Sequence, residues 1–336
     1  MKAWLTPTNI LVAVAGIVIL AIASTWLYSA DLQNPATHFV GRPPLDLQAS
    51  NITYASGAGV LIHGWLVPGK PKQGVVILLH PSRGDRRNMI SRAEFLRKRG
   101  YAALLIDFQS HGENRGRRMT YGDLESFDVT GAIQYLHHKL PGEKIAVLGI
   151  GMGADAFVLA DGRPAVDAVV LEQMFPTINR AVASRVRSNI GPFAPLVSWL
   201  VMIEMQSRME IPANRLSAVE RMSKIGAPVL IVNGTDDSHV TLDEARAELA
   251  AAAAPKELWA VEGAGHVNLH EFATAEYEKR IGDFIARYLP PVTDTEPPPA
   301  PVPAPAPPPA SPISTASQAP TAPASQAPAT PAPRAH

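Results

Sequence analysis

The feature that most constrains the fold is a regular alternation of short β-rich apolar runs with helical patterns. Eight runs have the length and composition of β-strands, at residues 48–54, 60–67, 75–80, 102–107, 144–150, 166–171, 228–233 and 257–261. Helical patterns lie at residues 85–99, 124–140, 152–159, 241–253 and 271–289. This order predicts an α/β fold in which a mostly parallel, eight-stranded sheet carries helices on both faces. In such sheets, functional residues gather at the carboxyl ends of the strands.

The N-terminal segment, residues 1–30, is predicted to lie in a membrane. No charged residue occurs between Lys2 and Asp31, and residues 10–28 are almost wholly apolar. A helix of that length spans roughly the 30 Å hydrocarbon core of a bilayer. Aromatic residues flank the stretch, as interfacial side chains do: Trp4, Trp26 and Tyr28.

Two interpretations of this segment stay open. Residues 21–23 (Ala-Ile-Ala) resemble a signal-peptide cleavage site, but the apolar run continues to Tyr28, which favours an uncleaved single-pass anchor. Lys2 precedes the span and Asp31 is the first charge after it. The N-terminus is therefore expected in the cytoplasm, and the rest of the chain in the periplasm or outside the cell.

Composition divides the remainder of the chain. Residues 31–46 are predicted to be a linker, 47–289 a folded domain with a helical insert at about 175–225, and 290–336 a disordered Pro/Ala-rich tail. Of the 32 prolines, 17 lie at or after position 290, and such a segment has too little apolar surface to offset its ordering entropy. The tail is interpreted as a spacer or, alternatively, as a ligand for a protein partner that binds polyproline.

Charge and cysteine content argue against several functions. The 30 basic and 30 acidic residues give a formal net charge of +0, so no global field attracts nucleic acid. The chain has no cysteine, which excludes disulfides, thiolate metal sites and cysteine catalysis. Neither a cofactor nor a metal is expected.

One strand ends in a turn that usually presents a nucleophile. The run Leu148-Gly-Ile-Gly-Met-Gly153 leads from a buried strand into a helix, which is the context of the G-x-S-x-G elbow. The middle residue is Gly151. A residue without a side chain cannot form an acyl-enzyme, so ordinary serine catalysis at this position is excluded.

Two later motifs complete a resemblance to a known family. Gly234-x-x-Asp237 precedes one helix and Gly265-His266 precedes the last one. With the elbow, the chain over residues 48–289 resembles the α/β-hydrolase superfamily, in particular its esterase, lysophospholipase and serine-aminopeptidase-like branch.

The resemblance implies an α/β-hydrolase fold with a helical cap, and hydrolysis of carboxylic esters, lipid-like esters among them. It further implies that Asp237 orients His266, and that the backbone N–H groups of Ser82 and Met152 form an oxyanion hole. The sequence departs from the family pattern at three places: Gly151, Pro81 and Gln109-Ser110.

The missing nucleophile leaves several functions open. Asp237 and His266 could activate water directly, since a general base and an oxyanion hole act without a nucleophilic side chain. Ser82 or Ser110 could supply a displaced nucleophile. Alternatively, the protein is a pseudoenzyme that uses its crevice or tail for binding.

Two further alternatives belong to other classes. Gly149-x-Gly151-x-x-Ala154, with Glu172 about 20 residues on, imitates a dinucleotide-binding fingerprint. His266 and His270 with His239 could be arranged as a metal site, without matching a recognised ligand pattern.

Substrate contacts are predicted from two regions. Arg83 begins a cluster of arginines that could hold an anionic group of the substrate. Trp199 lies in an apolar part of the predicted cap, suited to cover an acyl chain or to rest on the membrane.

Overall fold

The computed structural model describes residues 6–191 and 194–290. The flanking residues Lys2 and Trp4 and the tail from residue 291 onward lie outside the described residues. The predictions made for them stay predictions.

A central β-sheet organises the fold. Within the described residues, the strands are β1 (Ala36–Thr37), β2 (Ser50–Ala55), β3 (Leu61–Val67), β4 (Val75–Leu79), β5 (Ala102–Ile106), β6 (His111–Gly112), β7 (Ile145–Ile150), β8 (Ala168–Glu172), β9 (Val229–Gly234) and β10 (Lys256–Val261). Eight of them form one sheet in the order β10-β9-β8-β7-β4-β5-β3-β2. β3 runs antiparallel to both of its neighbours, and the other neighbours pair in parallel. The predicted mostly parallel, eight-stranded sheet is confirmed, with each strand within two residues of its expected bounds.

Helices cover both faces of this sheet. In the described part of the chain they are α1 (Pro7–Gln33), α2 (Ile90–Lys98), α3 (Glu125–Lys139), α4 (Met152–Leu159), α5 (Ile178–Ile190), α6 (Ala194–Met209), α7 (Leu242–Ala251), α8 (Leu269–Phe272) and α9 (Thr274–Tyr288). Helices α2 and α9 pack on one face, and α3, α4 and α7 on the other. Every residue of β4, β5, β8 and β9 is therefore buried, which explains their continuous apolar sequences.

Two predicted helices are interrupted. The pattern at 85–99 begins as a 3₁₀ turn, Arg86–Met89, capped by the Asp85 side chain, before α2 starts. The pattern at 271–289 divides into α8 and α9 at Ala273, where the Thr274 hydroxyl bonds the carbonyl of His270 and competes with regular helix geometry.

The insert between β8 and β9 forms a cap of two helices, α5 and α6. Helix α1 continues past residue 28 to Gln33 and packs its last turns against this cap. Residues 31–33, predicted to begin a linker, are thus helical, and two of them are buried. In the described residues, α1 is the one helix long and apolar enough to cross a membrane, by length and composition.

Candidate active site

Gly151 forms the turn between β7 and α4. Its backbone has φ +50° and ψ −117°, a conformation that is strained for any residue with a side chain. The flanking glycines allow close packing: a Cβ on Gly149 would lie 2.6 Å from the nitrogen of Ala154, and one on Gly153 would lie 2.5 Å from the carbonyl oxygen of Leu79.

The space at Gly151 itself is open. A Cβ built there would come no closer than 3.8 Å to any neighbour, the nearest being the carbonyl oxygen of Gln173. The turn therefore leaves room for a side chain that the sequence does not supply.

A histidine and a carboxylate meet beside this turn. The Nδ1 atom of His266 lies 2.8 Å from Oδ2 of Asp237, and the other carboxylate oxygen accepts backbone N–H groups of His239 and Val240 at 2.8 and 2.9 Å. Burial opposes ionisation of Asp237, but the bond from His266 and the backbone donors outweigh it and lower the pKa of this carboxyl. An ionised Asp237 holds the proton on Nδ1, which leaves Nε2 of His266 as the basic atom.

The same turn opens into a cavity of about 280 Å³. Gly151, Met152, Ser82 and His266 line one side of it. The opposite wall is mainly apolar and comes from the cap and the end of α1: Leu32, Ile178, Ala181, Val182 and Leu216.

Two backbone donors also border the cavity. The N–H of Met152 is the first of helix α4, so it has no acceptor inside the helix. The N–H of Ser82 has no hydrogen-bond partner among the described residues. The arrangement provides two unpaired donors on the side of the cavity that contains His266.

A buried histidine supports the Ser82 loop. Nε2 of His80 accepts the N–H of Phe108 at 3.1 Å, and its Nδ1 donates to the carbonyl of Pro81 at 2.8 Å. Burial, and next the nearby His111, lower the pKa of His80 to about 3, so the ring is neutral and its tautomer is fixed. Sequence reasoning missed this role, although His80 ends a predicted strand.

The comparisons with known proteins agree with this geometry. The model of the alpha/beta hydrolase family matches residues 60–280. The chain belongs to the alpha/beta hydrolase family. An uncharacterized protein, YfhR of Salmonella typhi, is 23% identical over 246 residues, covering 67% of this chain and 77% of its own length. Rv2307c of Mycobacterium tuberculosis, also uncharacterized, is 28% identical over 213 residues, covering 62% of this chain and 69% of its own.

Solved structures of esterases share the alpha/beta hydrolase fold. The Pyrococcus furiosus esterase Pf2001 superposes with a TM-score of 0.62 at 25% identity, covering 76% of this chain and 100% of its own. An esterase from Exiguobacterium antarcticum superposes with a TM-score of 0.54 at 16% identity, covering 70% of this chain and 99% of its own. At that identity, the likeness shows the fold alone.

The structure separates the two candidate serines of this alpha/beta hydrolase. Ser82 lines the cavity, and its hydroxyl contacts the sulfur of Met119 at 3.2 Å. Ser110, the other candidate for a displaced nucleophile, does not line the cavity. Its buried hydroxyl donates to the carbonyl of Arg118, because a left-handed backbone (φ +62°) turns the side chain toward its own loop.

Both predicted substrate contacts lie away from the cavity wall. Arg83 is exposed and donates to the carbonyl of Asp31 at 3.0 Å, so it fastens the end of α1 instead of lining the cavity. Trp199 lies on α6 with 62% of its surface exposed, because the other face of that helix is the one packed on the cap core. Neither residue lines this cavity, so their contact with substrate stays a prediction, as does the alternative that Trp199 rests on the membrane.

Sequence reasoning missed several residues of the cavity. Ser184 of α5 lies 2.9 Å from Nδ1 of His239, whose ring is 4.9 Å from that of His266. Burial, and next the proximity of His266, lower the pKa of His239. Asp155 also lines the cavity, and burial raises its pKa well above the ordinary value. No local motif marks Ser184 and Asp155, because the cap helix α5 and helix α4 bring them to the cavity from distant parts of the sequence.

Two alternatives are contradicted. Glu172, the predicted ribose ligand of a dinucleotide site, is fully buried and pairs with Arg92 at 2.7 Å, so it is not accessible to a nucleotide. His270 is buried against Phe95 and Tyr277 and bonds Glu278, so it does not join His266. Across residues 6–191 and 194–290, no three His, Asp or Glu side chains are grouped to hold a metal ion.

Proposed function

We propose that this protein binds a carboxylic ester in the cavity beside Gly151 and hydrolyses it slowly by direct attack of water. The observation that carries the proposal is the His266–Asp237 pair, which lies beside the open space at Gly151. Gly151 takes the position of the family's serine nucleophile, and a water molecule in that space replaces the serine hydroxyl.

The reaction needs no covalent intermediate. His266 Nε2 takes a proton from water as the oxygen of that water bonds the ester carbon. The N–H groups of Ser82 and Met152 stabilise the oxyanion that forms. The carbon–oxygen bond to the alcohol then breaks, and His266 returns the proton to the leaving oxygen.

The magnitudes favour a slow enzyme. A positioned general base contributes about 10²- to 10⁴-fold, and one oxyanion donor about 10²- to 10³-fold. Loss of the serine in a developed triad costs about 10⁶-fold in kcat. Turnover above the uncatalysed rate is expected, but far below that of a serine esterase.

A second candidate is a pseudo-hydrolase that binds the same ester without turnover, or serves as a scaffold for partners. Its support is the glycine itself, which gives Gly151 no reacting group. The cavity would serve both functions, so only a rate measurement separates them.

We also propose that α1 is an uncleaved single-pass anchor with the hydrolase domain on the exported side. The helix is continuous over 27 residues, and its most apolar 18-residue window has a mean hydropathy of 2.6. A cut at residues 21–23 would fall inside this helix.

The test is hydrolysis of short and long p-nitrophenyl esters by the full-length protein in detergent. His266→Ala is expected to lower the rate at least about 10²-fold, because it removes the base. His138→Ala, an exposed histidine on α3, is the matched control and should leave the rate unchanged. A silent wild type would favour the pseudo-hydrolase, and a rate equal in wild type and His266→Ala would refute the assigned base.

A further inference from the structure

Helix α6 of the cap is fixed directly to the anchor helix. The hydroxyl of Thr25 donates to Oε1 of Glu204 at 2.9 Å, and the guanidinium of Arg208 lies 3.8 Å from the ring centre of Trp26. These contacts lie one turn apart along α6, so they determine which face of the helix turns away from the protein.

That outward face is apolar. Leu196, Trp199 and Ile203 are 70%, 62% and 45% exposed, and their spacing places them on one side of the helix. The opposite side, with Val201 and Met205, is buried in the cap. A helix that is apolar on both sides is suited to lie between a protein core and a second apolar phase.

The exposed stripe lies on the same helix that contacts the end of α1, an apolar helix with the length of a membrane span. Trp26 and Leu27 of α1 are 47% and 71% exposed, next to the point where α6 crosses. A partly exposed tryptophan at the end of an apolar span marks the boundary between lipid and water. The surface formed by Leu196, Trp199 and Ile203 therefore adjoins the predicted bilayer surface.

The cap also has positive charge suited to that surface. Arg187 of α5 is exposed and has no salt bridge within the described residues, whereas Arg185 of the same helix lines the cavity. Basic side chains close to a bilayer are attracted by anionic headgroups at about 1 kcal/mol each.

The cavity lies a short distance from this boundary. Leu32, in the last turn of α1, is buried and lines the cavity together with Val182 of the cap. Leu32 is six residues after Trp26, which corresponds to about 9 Å along the helix. A lipid ester thus needs to rise only about 9 Å from the headgroup level to reach the cavity wall.

We propose that the outer face of α6 lies in the bilayer surface beside α1 and that the cavity takes its ester from that leaflet, so that the substrate is a bilayer lipid. The acyl chain enters between the end of α1 and the cap and rests against the apolar wall that contains Leu32 and Val182. This inference rests on the proposed function for the identity of the ester, and on α1 being the anchor.

The first experiment measures the membrane contact without any turnover. Because the chain has no cysteine, Trp199→Cys and Ile203→Cys each provide a single labelling site. The labelled full-length protein is placed in phosphatidylcholine–phosphatidylglycerol vesicles with a nitroxide-bearing lipid. Fluorescence at both sites should fall at least about twofold, as expected for side chains buried in the headgroup region. Lys139→Cys, exposed at the end of α3 shortly before β7 begins, is the control, and its fluorescence should not change. Equal quenching at all three sites, or no quenching at positions 199 and 203, would overturn the proposed contact between α6 and the bilayer.

The second experiment follows the lipid into the cavity. A phosphatidylcholine with a diazirine on its acyl chain should crosslink to residues 196–203 and to the cavity wall at 178–182. Ala181→Trp, which fills the wall, should lower the cavity crosslink several-fold and leave the α6 crosslink unchanged. Crosslinks on α6 without any in the cavity would overturn entry from the leaflet. Crosslinks in both places without ester turnover would refute the proposed hydrolysis but would still support entry of the lipid from the leaflet.

Discussion

Replacing Gly151 by serine tests whether the site is a hydrolase frame without its nucleophile. The open space predicts that the side chain fits, since the nearest atom to the new Cβ would lie 3.8 Å away. The cost is conformational, because a φ of +50° is strained for serine by about 1–3 kcal/mol. For a domain of this size, that strain lowers Tm by roughly 2–12 °C.

Despite this loss of stability, the serine variant should hydrolyse esters faster than the wild type. A serine next to His266 introduces a covalent route worth up to about 10⁶-fold in a developed triad, so an increase of at least about 10²-fold is expected. The assay is p-nitrophenyl ester hydrolysis, together with covalent labelling by a fluorophosphonate. The labelled residue should be the new serine, and His266→Ala in the same background should abolish both signals.

Gly151→Ala is the matched control. It carries the same backbone strain without a hydroxyl, so its Tm should fall as far as that of Gly151→Ser while its activity does not rise. If both variants fold with similar Tm values and the serine variant neither accelerates hydrolysis nor becomes labelled, the site is not a hydrolase frame that lacks only its nucleophile.

Further predictions concern the buried charges. Arg92→Met should lower stability by about 3–5 kcal/mol, because it leaves the buried carboxylate of Glu172 without its ion pair; adding Glu172→Gln should recover most of the Tm, and no recovery would contradict the argument. Burial raises the pKa values of the Asp155 and Glu248 carboxyls in the folded state. The folded protein therefore keeps these two protons at pH values where the unfolded chain has already lost them. The free energy of unfolding should consequently fall as pH rises above about 5. Asp155→Asn should flatten that fall in Tm scans between about pH 5 and pH 8, and an unchanged slope would contradict it. Asp237→Asn should lower ester turnover by up to about 10⁴-fold with little change in KM, because the wrong His266 tautomer would be held; an unchanged kcat would exclude this role.

The sheet and its helices were predictable because they depend on local pattern. Strands such as β4 and β8 are buried on both faces, so their apolar runs are continuous and bounded by turn residues. The prediction that Asp237 and His266 meet depended on the rule that carboxyl ends of parallel strands share one edge, together with the family resemblance. The structure brings these two side chains together at 2.8 Å.

The cap and the end of helix α1 were less predictable because their contacts are distant in sequence. The bond between Thr25 and Glu204 joins residues 179 positions apart, and no local periodicity reports it. For the same reason, the direction of Trp199 and the place of Leu32 in the cavity wall could not be read from sequence. The direction of the Ser110 hydroxyl was not predictable either, because it depends on a single residue with a left-handed backbone in a loop.

The most direct test of water attack at Gly151 is the intact mass of the full-length protein, quenched rapidly during turnover of a p-nitrophenyl ester. Attack by water predicts steady release of p-nitrophenol without a burst, dependent on His266, while the protein keeps its unmodified mass. An acyl adduct on Ser82, Ser184 or any other side chain would contradict it, as would the absence of turnover.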